Sequence, residues 1–167
     1  MLPSVSILVC TYGRTTFLQE ALESFARQEY DGALHMVIVN DCPLQTLTTI
    51  VPGVDIINLD HTCESYAAKR NLVLEHARHE LTCLWDDDDI YLPDFVATVV
   101  AKLGDDDKAM RLSRLMKWDG RFAKIISGSQ YHTAVFRTAA LRELGGWRNV
   151  DVTDEDFVRR LVQYRFF

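Results

Sequence analysis

Positive charge is the scarce commodity in this chain. Eighteen Lys and Arg face twenty-four Asp and Glu, a net charge of −6. A protein that gains affinity by neutralising nucleic-acid phosphates carries the opposite balance, so nucleic acid as the main partner is disfavoured. The cysteines Cys10, Cys42, Cys63 and Cys83 form no C-x-x-C pair. Because Cys10, Cys42 and Cys83 lie in or beside apolar runs, they read as small buried hydrophobes in a reducing compartment. No apolar run approaches the ~18 residues of a membrane span, and the amino terminus lacks a basic segment followed by a hydrophobic signal core. A cytoplasmic location is expected. The loop after the first apolar run, TYGRTT, has one glycine where a dinucleotide-binding fold carries G-x-G-x-x-G, which excludes dehydrogenase chemistry. Paired aspartates are missing from the same place, where the chain has Cys10-Thr11, which argues against an aspartyl phosphotransferase.

What is present is an ordinary globular composition. With 167 residues, 48% hydrophobic and 25% charged, the chain suits one domain spanning 1–167, able to bury a core without disulfide or zinc staples. Val5 to Cys10 is a short continuous apolar run, the mark of a strand buried on both faces. Thr16 and Gln19 make a capping-box pattern before Phe17, Leu18, Ala21, Leu22 and Phe25, which share a helical face. Further strands are expected at Met36 to Val39, Val54 to Leu59 and Leu81 to Trp85, with a helix between Ser65 and His79. Such alternation predicts an α/β/α sandwich on a mostly parallel sheet. Pro93 suits the first position of a helix over Asp94 to Leu103, with Gly104 as its stop. Beyond it the pattern becomes irregular. Asp119-Gly120 signals a hairpin within Ala109 to Ser127, Tyr131 to Phe136 a strand, and Thr138 to Leu144 a short helix closed by Gly145-Gly146. Thr153 is placed to cap a last helix that begins Asp154-Glu155-Asp156.

In an open α/β sheet, ligands gather beyond the carboxyl ends of the strands. The polar residues at those ends are Thr11, Tyr12 and Arg14, then Asp41, then the run Asp86, Asp87, Asp88 and Asp89. Four consecutive aspartates raise one another's pKa unless a cation or basic groups compensate. Mg²⁺ or Mn²⁺ would do so, commonly taking one or two carboxylates and completing its shell with water and substrate phosphates. Asp86 and Asp88 alternate suitably.

Taken in order, VSILVCTYGR, VIVND, AAKRNLVLEHA, LTCLWDDDDIYLPDF, VFRTAALRELGGW and a late Glu-Asp pair resemble a family 2 glycosyltransferase of the GT-A fold. The resemblance extends from Val5 to about Leu161. It implies transfer of a sugar from a nucleotide diphosphate donor, a UDP- or TDP-sugar, to a hydroxyl acceptor with inversion. On that resemblance residues 1–104 bind the nucleotide-sugar and 105–167 face the acceptor. Thr11 and Tyr12 match the base pocket, with Tyr12 able to stack on the base, and Arg14 follows them. Asp41 matches the acid that accepts N3–H of uracil, which fits uracil or thymine and disfavours cytosine. Arg70 matches a basic residue near base or phosphate. Asp86 and Asp88 match the D-x-D motif, with Asp87 between them, and Asp88 is the expected direct ligand of Mn²⁺ or Mg²⁺ beside the diphosphate.

An acceptor hydroxyl needs a carboxylate to take its proton as the new bond forms. The resemblance places that base in the Glu155-Asp156 pair, with Asp156 preferred, although the helix macrodipole favours acids there regardless and opposes a raised pKa. His132 could touch the metal, the diphosphate or the acceptor, or be an ordinary strand histidine. Trp147 matches an aromatic near donor sugar and acceptor, and aromatic core packing explains it equally well; Trp85 reads as core. The ending Gln163 to Phe167 departs from the Q-x-x-R-W motif of processive synthases, and the sequence stops within its last predicted helix, so a pared-down or truncated acceptor side is expected. Phe166 and Phe167 leave packing on the sheet, a homodimer or membrane contact open. The acceptor stays open among lipid carriers, glycans, proteins and small molecules. Two other readings remain: a sugar nucleotidyltransferase, for which the first loop has too little glycine, and a nucleotide-sugar-binding module that has lost catalysis.

Overall fold

The computed structural model describes residues 1–118, 123–127, 133–150, 153–164 and 166. Four strands, β1 (Val5–Thr11), β2 (Leu34–Asn40), β3 (Val54–Asn58) and β4 (Leu81–Asp86), run parallel. The sheet is completed by β5 (Ala109–Arg111) and β8 (Ala134–Arg137), in the order β3-β2-β1-β4-β8-β5. β8 is antiparallel to both of its neighbours, so only the first hundred residues follow the parallel pattern. A separate antiparallel pair joins β6 (Arg114–Trp118) to β7 (Ala123–Ser127). The Asp119-Gly120 turn expected between them, and the start of the strand expected from Tyr131, lie outside the described residues.

The central strands are apolar throughout because both faces are covered. Successive side chains alternate between faces. Val5, Ile7 and Val9 of β1 join one core with Leu18, Leu22 and Phe25 of α1 (Thr15–Ala26) and Val96, Val99 and Val100 of α3 (Phe95–Lys102). Leu8 of β1 joins the other core with Val73 and Leu74 of α2 (Tyr66–Glu75), Leu141 of α4 (Thr138–Glu143), and Phe157 and Leu161 of α5 (Thr153–Gln163). The result is the expected three-layer sandwich. Burying one such aliphatic side chain contributes about 1.5–3 kcal/mol.

Several local expectations need correction. α1 begins at Thr15 after Arg14 with no side-chain cap bond, so Thr16 and Gln19 make no capping box; Gln19 instead donates to Glu23 one turn on. Phe17 is exposed, while Ser24 takes a buried place on that helix. Pro93 precedes α3 by two residues, because Asp94 occupies the N-cap. Of the cysteines only Cys83 is buried; Cys10, Cys42 and Cys63 are half-buried, and all four are free thiols. Phe166 packs inward near Phe136, whereas Phe167 lies outside the described residues. No helix among the described residues is long and apolar enough to cross a membrane.

Candidate active site at the strand-order switch

The chain passes from β3 at one edge back across the sheet to β4, so the strand order reverses between β1 and β4. Loops after those two strands diverge there and leave a crevice. Thr11 ends β1 and Asp86 ends β4, with Cys10 paired in register to Asp86. Thr11, Arg14 and Asp86 to Asp88 therefore fall at this one seam.

Arg14 crosses it. Its guanidinium pairs with Asp88 Oδ2 at 2.8 Å and also with Asp87 Oδ1. Asp86 is held from the other side by Arg70, whose guanidinium lies 3.2 Å from Oδ1. The acidic run is thus already compensated by two arginines, one of the two solutions its charge demanded. Asp87 is buried, and burial pushes its carboxyl up from the ordinary value. The Thr11 hydroxyl and Arg14 oppose that rise, although neither Thr11 Oγ1 nor Asp87 Oδ2 completes a hydrogen bond of good geometry. Asp88 is about half exposed to solvent.

The turn is stiffened from below. Tyr91 stacks on Trp85 with centroids 3.9 Å apart, and its hydroxyl accepts the Asp86 backbone N–H at 3.1 Å. Trp85 is core, as expected. Ser65 caps α2 by accepting from Ala68 N–H, and the helix then aims Lys69 and Arg70 toward the sheet. Arg70 lies over the Tyr66 ring, 4.5 Å from its centroid, and 5.5 Å from the centroid of Trp147.

On the other side of β1, Asp41 follows β2. Cys63 N–H donates to its Oδ2 at 3.1 Å, and the Lys69 ammonium stands 2.5 Å from Oδ1, an ion pair with angles outside ordinary hydrogen-bond geometry. Lys69 Nζ also donates to the Thr11 carbonyl at 3.3 Å. Sequence reading missed Lys69. Its signal was the adjacency of two cations in AAKRN on a helix that must bury one face.

Asp156 sits apart from these groups in sequence and partners. Its Oδ1 accepts from Arg159 at 2.7 Å and its Oδ2 from Arg160 at 2.9 Å. Desolvation pulls its pKa up, but the hydrogen bonds and charges of Arg160 and Arg159 outweigh it and hold the carboxyl below its ordinary value. Buried Arg160 also donates to the Leu144 and Gly146 carbonyls, while Trp147 stacks on Phe157 at 4.4 Å and exchanges two hydrogen bonds with Asn71. Trp147 is thus a packing residue that links α5 to α2 and lies beside Arg70. Gly146, at φ of 60°, adopts a left-handed backbone beside the Asn71 amide, where a side chain would collide. Glu155 is described only in its backbone, and His132 lies outside the described residues.

The model of the family described as "Glycosyl transferase family 2" matches residues 6–162. The chain belongs to that family. It is 31% identical over 104 residues to the uncharacterized glycosyltransferase YwdF of Bacillus subtilis, covering 59% of this chain and 38% of the relative. Among solved structures, S. aureus TarS 1-349 superposes with a TM-score of 0.68 at 20% identity, over 87% of this chain and 50% of that one. The mannosyltransferase PcManGT from Pyrobaculum calidifontis, in complex with GDP-Man and Mn²⁺, gives 0.65 at 19% identity, over 92% of this chain and 50% of that one. These likenesses establish the GT-A type sandwich. The chain spans half or less of the length of these relatives.

Proposed function

We propose that this glycosyltransferase moves a sugar from a UDP- or TDP-linked donor to a hydroxyl acceptor, with a divalent cation and with inversion at the anomeric carbon. The observation that carries the reading is the Asp86 to Asp88 turn, set at the strand-order switch and flanked by Arg14 and Arg70. TarS has been solved with UDP-GlcNAc and with UDP, which supports a nucleotide-sugar donor for this fold.

Tyr12, half-exposed beside Thr11, offers a stacking face for the base, and Asp41 with Lys69 borders that pocket. Arg70 and Arg14 are placed to receive the diphosphate. The donor set fits a hard divalent cation: Asp86 and Asp88 offer carboxylate oxygens at a crevice, and the rest of the shell would come from water and phosphate. Among the described residues no cluster of three or more ligating side chains converges. A cation held there supplies charge neutralisation at the departing diphosphate. Arg14 holds Asp88 through Oδ2 and also pairs with Asp87, so a cation at Asp88 would share that carboxylate with the guanidinium or compete with it.

Asp156 takes the acceptor proton in this reading, with Glu155 next in line. The paired arginines keep Asp156 ionised, so it is always ready to accept a proton; their neutralisation makes it a weak base until the acceptor displaces one of them.

Calorimetric titration of UDP, TDP, GDP and CMP into the protein, with Mn²⁺ and again with EDTA, tests the donor site. Metal-dependent binding of UDP or TDP is expected. Absence of binding to every nucleotide by folded protein overturns the reading. Tight UDP binding without transfer to any acceptor class would leave a nucleotide-sugar-binding module.

A further inference from the structure

The hairpin of β6 and β7 stands outside the main sheet. Because β5 is antiparallel to β8 and β8 is antiparallel to β4, β5 and β4 finish at the same end of that sheet. The hairpin starts at Arg114, soon after β5 finishes at Arg111, and so leaves from the end that carries the Asp86 to Asp88 turn. Its register sets Met116 opposite Ile125, which puts both on one face. They are 65% and 66% exposed. Exposed apolar residues are ordinary when scattered singly. A cross-strand pair on a two-stranded sheet is a different matter, since such a sheet is marginal in water unless something covers it.

Arg114 and Lys124 are exposed on the same hairpin. Between Arg114 and Ser127 the sequence holds four cations, Arg114, Lys117, Arg121 and Lys124, against the single acid Asp119, in a chain of net charge −6. The register sets Lys117 directly opposite Lys124. Like charges at opposed positions weaken a strand pair, and an anionic counter-surface relieves them. Acids elsewhere in the chain oppose such a surface only where they come within the screening length of ~8 Å at physiological salt.

We propose that the β6–β7 hairpin docks the protein on an anionic lipid surface, with Met116 and Ile125 at the boundary of headgroups and acyl chains and Arg114 and Lys124 on the lipid phosphates. A polyanion such as nucleic acid matches the cations and leaves the apolar pair in water. A second copy of the hairpin covers the apolar pair and brings cations against cations. A bilayer containing acidic lipid meets both needs, because long basic side chains lay their stems along apolar surface and keep the charge at the headgroups. Docking there holds the acidic-turn end of the sheet at the headgroup layer, where an acceptor hydroxyl carried on a lipid is presented. The docking itself does not rest on the donor reading.

Flotation of the full chain with vesicles of phosphatidylcholine, alone or mixed with an equal part of phosphatidylglycerol, tests the proposal. Each basic residue near an anionic surface contributes about fivefold in partition, so the mixed vesicles should bind on the order of 10²-fold more tightly, and less so as salt rises. Arg114→Gln/Lys124→Gln should lose on the order of tenfold, and Met116→Ser/Ile125→Ser about tenfold or more. Leu44→Ser/Ile50→Ser, at two apolar residues even more exposed than these, should bind as the wild type does. Trp85 and Trp147 are buried, so quenching of fluorescence by bromine-labelled acyl chains should vanish in Trp118→Phe. The first variant keeps the apolar pair and the second keeps the cations, so if one of them melts the hairpin the other still decides. Absence of flotation with the mixed vesicles overturns the proposal, as does binding that both hairpin variants retain. Salt-sensitive binding that survives Met116→Ser/Ile125→Ser makes the hairpin a general polyanion site and overturns the lipid contact. A dimer in light scattering that the same variant abolishes, with no flotation, gives the face to a second copy. UDP calorimetry of both variants should match the wild type, so loss of docking leaves the donor site standing.

Discussion

The acids after β4 and the acid at the start of α5 are neutralised by the same residue type through opposite means. Asp87 and Asp88 draw Arg14 from 73 and 74 residues away, and Asp86 draws Arg70 from another helix. Asp156 draws Arg159 and Arg160 from its own next turn. The first arrangement exists only when the sheet is assembled, because parallel strands bring distant loops to one end. The second is available to an isolated helix, where i,i+3 and i,i+4 neighbours face one another. Charge at the strand ends is a tertiary device, and charge on α5 begins as a local one. Arg160 joins the two kinds, since it also holds the Leu144 and Gly146 carbonyls and so ties the helix to the turn that carries Trp147.

The largest expected effect separates chemistry from binding. Asp156→Asn should reduce transfer by on the order of 10² to 10⁴ while donor affinity holds, because loss of a general base acts on the chemical step alone. Single-turnover transfer measured beside UDP calorimetry checks this, and wild-type turnover would move the role to Glu155. Next, Asp88→Asn should weaken UDP binding in Mn²⁺ by about tenfold or more and leave binding in EDTA unchanged. An unaltered Mn²⁺ dependence would remove Asp88 from the cation site. Arg160→Leu should cost about 3 kcal/mol in denaturant unfolding, because two buried carbonyls lose their donor. A loss below about 0.5 kcal/mol would show that α5 stands by its local pairs alone.

The smallest effect concerns pH. Burial raises the Asp87 carboxyl above its unfolded value, so the folded state binds the extra proton in the window between the two. The resulting destabilisation is absent below the unfolded value near 3.9 and develops as pH rises through the folded one. Asp87→Asn should therefore gain thermal stability relative to the wild type as pH rises from about 4 to about 7. A Tm difference that does not change over that range would place Asp87 at its ordinary value.

The same contrast explains what could be read in advance. β1, β2 and β4 were legible because strands buried on both faces are continuous apolar runs, and that property is local. The residues at their ends, Thr11, Tyr12, Asp41 and Asp86, followed from the rule that loops beyond parallel strands line a crevice. The antiparallel entry of β8 was not legible, since nothing in Ala134 to Arg137 specifies direction against β4. Thr16 and Gln19 made a plausible cap that the backbone does not use, because α1 begins two residues sooner, with Arg14 at the N-cap. Lys69 escaped notice because a lysine on a helix is ordinarily solvated; only the meeting of α2 with the ends of β1 and β2 buries it against Asp41.

By itself the sequence determined the alternation of strands and helices, the polar groups that follow each strand, and a family-like order of motifs, because hydrophobic period and turn chemistry act over a few residues. Which charges meet at the strand ends was decided by the tertiary structure alone. An ion pair requires about 4 Å between groups that the chain separates by as many as 74 positions, and only the packed sheet imposes that distance.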